Sequence, residues 1–145
     1  MVRGEGLDIY EYHLGLLPII YPRFRSVFTK NGKELILLIE DSSNIKDFSD
    51  VEVENCTECE AIENHVHLFD EVGENNRKRV TTIGTAIAEN LLKCLTKDFP
   101  GKKFIVFLDI NVHDSVVIRF HQARENEPPY FNVIEWENIL EFKNY

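Results

Sequence analysis

Residues 24 to 39 read FRSVFTKNGKELILLI, and this stretch carries the clearest local signal in the chain. Asn31-Gly32 suits a two-residue type I′ turn, whose central positions both need a positive φ. The spacing therefore predicts a hairpin in which Phe28 faces Leu35, Ser26 faces Leu37 and Phe24 faces Ile39. Val27 with Ile36, and Arg25 with Leu38, then lie on the opposite side. Leu35 to Ile39 is apolar at every position. Such a run predicts a strand central in its sheet and covered on both faces.

Upstream of the hairpin, Ile9 to Leu17 alternates in part and fits either an edge strand or a short helix, with Pro18 and Pro22 interrupting it. Downstream, the Ser, Asn and Asp residues of Ser42 to Asp50 predict a connecting loop. Val51 to Glu54 and Ala61 to Phe69 alternate like half-exposed strands, with Asn64 breaking the apolar phase of the second. After a turn at Gly73 to Asn76, Ile83, Ile87, Leu91, Cys94 and Leu95 recur at helical spacing. Thr81 or Thr82 stands where a cap is expected, and Pro100-Gly101 ends the helix. Phe104 to Ile110 and Val116 to Phe120 are short apolar runs whose brief link predicts an antiparallel hairpin. Pro128 and Pro129 are expected to end the sheet region, and residues 134–142 partly match a short C-terminal helix. The expected architecture is a single α+β domain over 1–145, with one mainly antiparallel sheet packed on one central helix.

A chain of 145 residues with 43% hydrophobic and 28% charged content is ordinary for one globular core, and it lies far from disordered compositions. The first residues show no apolar signal core, and no run approaches a membrane span. Three cysteines, Cys56, Cys59 and Cys94, do not make a secreted disulfide framework. A cytoplasmic protein without membrane contact is the expectation.

Charge is distributed very unevenly. Glu40 to Glu74 holds twelve acidic residues against one basic residue, Lys46, so this stretch carries −11 of a net −9 and leaves the rest of the chain at +2. The acids are Glu40, Asp41, Asp47, Asp50, Glu52, Glu54, Glu58, Glu60, Glu63, Asp70, Glu71 and Glu74. A field of one sign repels nucleic-acid phosphates and steers a basic protein partner toward it. In size, single-domain build and concentrated acidity the chain resembles the small immunity proteins that bacteria keep in the cytoplasm against toxins with basic active sites. That resemblance implies a non-enzymatic antitoxin or toxin inhibitor that docks through residues 40–74.

Two other chemistries compete with this reading. Cys56, Cys59, His65 and His67 are four soft ligands within twelve positions, as a closed tetrahedral zinc site requires, although the histidines stand closer together than structural spacings usually put them. A thioredoxin-like dithiol needs positive neighbours, whereas Glu54, Glu58 and Glu60 flank these cysteines. The third reading is a small-molecule or catalytic site on the wet face of the last two strands. There Arg119 and His121 stand on one strand face, with Arg124 and Glu127 following, for anion recognition and proton transfer. No phosphate-loop, nucleophile-elbow or zinc-protease motif is present. The basic run Arg77-Lys78-Arg79, set just before the helix, opposes its macrodipole and calls for a negative partner, expected from the acidic stretch itself.

Overall fold

Thr29 N donates to Lys33 O and Gly32 N to Thr29 O, so the first hairpin closes through three residues and not two. The computed structural model describes residues 16–40 and 47–145. Strands β1 (Phe24–Phe28) and β2 (Glu34–Leu38) pair antiparallel with Val27 opposite Leu35 and Ser26 opposite Ile36, one residue out of the predicted register. Of the two turn residues only Gly32 takes a positive φ, at 77°. Asn31 instead turns its side chain to residue 53, accepting from Val53 N and donating to Val53 O. A one-residue slip exchanges the two faces of a strand. Phe28 is consequently 60% exposed, while Ile36 packs into the main core and Leu35 and Leu37 into a second cluster with Val27, Val53 and Cys56. The expected burial of β2 on both faces therefore holds, but its central place does not: β1 and β2 form a two-stranded sheet of their own.

Val51 to Glu54, expected as a strand, is irregular. Its backbone is held by Lys30 N donating to Val51 O and by the Asn31 side chain at Val53. Asn55 then accepts from Glu58 N and caps helix α1 (Cys56–Glu63), where a strand beginning at Ala61 was expected. The cap satisfies an N-terminal donor that the helix otherwise leaves open. Strand β3 (His65–Asp70) follows directly.

Helix α2 (Arg77–Asp98) starts five residues before Thr82. Thr81 and Thr82 do not cap it; their hydroxyls donate back to the Arg77 and Lys78 carbonyls. Its buried row is Val80, Gly84, Ala88, Leu91 and Leu95, rotated from the predicted stripe, and Ile83 is 40% exposed. Small residues face the sheet because the helix lies close: a Cβ on Gly84 would stand 2.9 Å from Leu108.

Strands β4 (Phe104–Ile110) and β5 (Ser115–Gln122) form the predicted antiparallel hairpin. The expected C-terminal helix is instead strand β6 (Ile139–Lys143), paired with β4, so the sheet continues beyond Pro129. Its apolar residues Leu140 and Phe142 follow a strand period and lie opposite Leu108 and Val106. All pairs in the resulting four-stranded sheet, β3-β5-β4-β6, are antiparallel. The α+β class stands, with two sheets in place of one. Helix α2 and a helical turn over residues 16–20 cover one face of the larger sheet. Tyr130, Phe131 and Val133 of the β5–β6 connection pack on the other, against Ile105, Phe107 and Ile139. Among the described residues, no helix is long and apolar enough to cross a membrane.

Candidate functional site

Glu60 of α1, named above among the partner-facing acids, is fully buried and lies between the two sheets. One oxygen accepts from Ile36 N (2.7 Å) and Gln122 Nε2 (2.7 Å); the other accepts from Gln122 N (2.8 Å) and Arg124 Nη1 (2.9 Å). One turn later Asn64 accepts from Leu38 N and donates to Ile36 O, while its own carbonyl accepts from Phe120 N. The two side chains thus take the place of a strand between β2 and the end of β5. A carboxylate excluded from water is tolerable only when charge-paired and hydrogen-bonded, and Arg124 supplies the charge.

Arg124 also donates to Thr57 Oγ1 and to Glu34 O, and Glu34 pairs with Lys102 at 2.6 Å. Glu127 accepts from Thr57 N (2.8 Å) and Cys56 N (3.2 Å), so it sits on the N-terminus of α1. Burial raises the Glu127 pKa, but these hydrogen bonds and the Arg124 charge outweigh it and hold the carboxyl below its ordinary value. Lys33, Glu34, Cys56, Gln122, Arg124 and Glu127 line a cleft of about 480 Å³ over this seam. Arg124 and Glu127, expected beside a substrate, instead both turn their side chains to α1, Arg124 to Glu60 and Thr57 and Glu127 to the Cys56 and Thr57 amides.

His121 is 1% exposed and does not lie on a wet sheet face. Its Nδ1 lies 2.8 Å from Gln122 O and its Nε2 accepts from Tyr130 N, which fixes the neutral tautomer with the proton on Nδ1. Burial takes its pKa below the ordinary value, only partly offset by the Gln122 carbonyl and Glu60. A group so enclosed cannot exchange protons with a substrate, so the expected acid-base role is withdrawn. Arg119 lies under Tyr130 and Phe131, at 5.0 and 5.7 Å from the ring centres, and donates to Ala61 O. The face is dry because the β5–β6 connection folds back over it, which strand alternation alone does not reveal.

Nor does the zinc reading find its geometry. Cys56 is buried against the hairpin, His65 Nδ1 bonds Ile62 O, and His67 Nδ1 bonds Ser115 Oγ. Among the described residues, no three His, Cys, Asp or Glu side chains come together to hold a metal ion. A helix does begin at Cys56, as a reactive dithiol needs, but burial pushes that thiol up and Arg124 pulls it down less.

One cluster escaped the sequence reading. A bulge between His67 and Phe69 in β3 brings Asp70 opposite Ser115, whose hydroxyl donates to the carboxylate and meets His67 Nδ1 at 2.9 Å. The order is inverted for a nucleophile, since the serine proton goes to the aspartate and not to the histidine.

The remaining acids are placed in two groups. Asp47, Asp50, Glu52, Glu54 and Glu58 are exposed on the 47–55 segment and the first turn of α1. Asp70, Glu71 and Glu74 are exposed at the far end of β3, where Glu71 N donates to Asp114 O in the β4–β5 turn. The length of β5 separates the two groups by roughly 25 Å. Glu74 pairs with Arg77 at 2.5 Å, the internal compensation expected for the basic run, now in the first turn of α2. Glu40 is exposed, Glu63 is half-buried, and Asp41, with Lys46, lies outside the described residues, as do residues 9–15 and most of the Ser42 to Asp50 loop.

No protein-family model, curated protein or solved structure matches this chain.

Proposed function

We propose that the chain is a non-enzymatic docking protein that holds a basic surface of a protein partner against residues 47–58. The observation that carries this reading is the way the segment is held. Val53 is buried between the hairpin and α1, its backbone is clamped by Asn31, and Lys33 Nζ donates to Glu54 O. Glu52 and Glu54 on either side of Val53 therefore project outward from a fixed backbone. Residues 47–58 contain five acids and no base. Among the described residues, none of these five carboxylates has an ion-pair partner within 4 Å. Charges fixed before binding lose little conformational freedom on association, and their field raises the encounter rate with a cationic surface. Beside them a cleft of about 430 Å³, lined by Arg25, Phe28, Asp47 and Phe48 among others, presents the exposed Phe28 ring in a mixed polar and apolar lining.

The charged groups of the Glu60 seam bond one another, and His121 is enclosed, which favours a binding role over catalysis. Inhibition of a toxin with a basic active site is the instance that the compositional likeness suggests. Complex formation with the product of the adjacent gene is the test. The Asp50→Lys/Glu52→Lys/Glu54→Lys/Glu58→Lys variant is expected to weaken binding at least tenfold, and wild-type affinity is expected to fall as salt rises from about 50 to about 300 mM. Affinity indifferent to both changes would falsify the electrostatic docking.

A further inference from the structure

A second surface, opposite in sign, lies between the C-terminal half of α2 and strand β6. β6 is an edge of the four-stranded sheet. Ile110 N donates to Asn138 O and Asn144 N to Phe104 O, so residues 138, 140, 142 and 144 bond toward β4. The alternation leaves Glu141 and Lys143 with their N–H and C=O groups directed outward, and no described strand pairs with them there. Such an open row is a template for another extended chain. Next to it runs a groove of about 560 Å³ with Leu92 of α2 and Phe142 of β6 among its lining residues. Asn144 bonds Thr96 Oγ1 and Lys102 O near the strand's end and ties β6 to the helix.

The charge of the groove decides what it takes. Lys93 and Lys97 line it against one acid, Glu89, a local excess of positive charge in a chain of net −9, while Lys143, next to Phe142 in the strand, carries its ammonium on the opposite face of the sheet. Lys93 and Lys97 have no carboxylate within 4 Å among the described residues, whereas Lys143 lies 3.3 Å from Glu141. A second copy is a poor occupant. Two-fold antiparallel pairing of β6 strands puts both α2 helices on one face of the joined sheet, with the Lys93 and Lys97 rows of the two copies turned toward each other across the seam, and like charges so juxtaposed are costly. Nucleic acid suits the groove less well, because two lysines over an apolar floor neutralise few phosphates and the chain as a whole carries a net charge of −9.

We infer that this groove binds an extended peptide segment of a partner protein by strand addition to β6, with a large apolar side chain over Leu92 and Phe142 and acidic side chains toward Lys93 and Lys97. Main-chain bonds to Glu141 and Lys143 provide affinity, and the groove provides selectivity at alternate side chains. This groove is separate from the acidic 47–58 segment, which the variants below leave intact.

Selection of a phage-displayed library of random linear nonapeptides on the full chain is expected to yield one large apolar residue flanked by Asp or Glu. A synthetic peptide of the selected sequence should bind Lys93→Glu/Lys97→Glu at least tenfold more weakly than wild type. It should also bind Glu141→Pro more weakly, since proline there removes an outward N–H and no bond to β4. The lysine variant alters exposed side chains and stays informative if the proline variant misfolds. Binding must also slow hydrogen exchange at the Glu141 and Lys143 amides. A selection with no acidic-apolar pattern, equal affinity for the lysine variant, or tighter binding of a single-stranded 20-nucleotide RNA than of the peptide each overturns the proposal.

Discussion

A histidine closed away from water with both nitrogens bonded makes folding pH-dependent, and His121 is in that position. Its folded pKa lies below the ordinary value, chiefly through burial. In the unfolded chain the ring titrates near about 6.5. Between the two values the unfolded state binds a proton that the folded state refuses, so stability is complete above the unfolded pKa and is lost as pH falls below it. Denaturant unfolding from pH 8 to pH 5 should show stability falling as pH drops through and below the unfolded value, with a slope that for this one group cannot exceed ~1.4 kcal/mol per pH unit. His121→Gln keeps an acceptor for Tyr130 N and is expected to flatten that step; an unchanged slope in the variant assigns the step to other groups. Asp109 works in the opposite sense. Burial raises its pKa more than Arg119 lowers it, so protonation at lower pH relieves a cost in the folded state.

The two hairpins and the first helix show how far a local pattern decides structure. The β4–β5 hairpin was legible because two apolar runs flank a short link and both faces are buried. The first hairpin was legible in existence but not in register, because Asn31-Gly32 serves two loop lengths equally and the choice rests on Val53, 22 residues away. Helix α1 was hidden because its buried row is Cys56, Thr57, Glu60 and Ala61, half of it polar and the rest small, a face that no hydrophobic periodicity marks. The Asn55 to Glu58 cap was its only local signal. These causes are separable by substitution. Asn31→Gly leaves Gly-Gly, which a type I′ turn also accepts, and would be near neutral if such a turn closed the hairpin. In the observed turn it removes the bonds from Asn31 to Thr29 and Val53, and it is expected to cost about 1–2 kcal/mol in thermal or denaturant unfolding. A variant as stable as wild type returns the hairpin to the predicted register.

Two sheets of unequal size are held as one body by polar groups as well as by the apolar core. The smaller sheet bonds to α1 through Ile36 and Leu38, and α1 bonds to β5 through Phe120 and Gln122, with Glu60 and Asn64 between. Sequence reasoning placed Glu60 at the surface with its acidic neighbours, because nothing local separates a carboxylate destined for Arg124 from those destined for water. The partner lies 64 residues further on. If the seam carries the junction, its failure should be felt first on the small sheet, which has one strand partner for β2 and no other. Glu60→Ala leaves the amides of Ile36 and Gln122 without their acceptor and Arg124 without its counter-charge, a loss of up to about 3–5 kcal/mol, the value for a fully buried pair. Native-state hydrogen exchange should then find the Ile36 and Leu38 amides opening at least ~100-fold more readily, while those of Val106, Leu108 and Ile118 change less. The apolar contacts of Ile36 with the main core oppose this separation. Equal acceleration across both sheets would mean that those contacts dominate and that the molecule opens only as a whole.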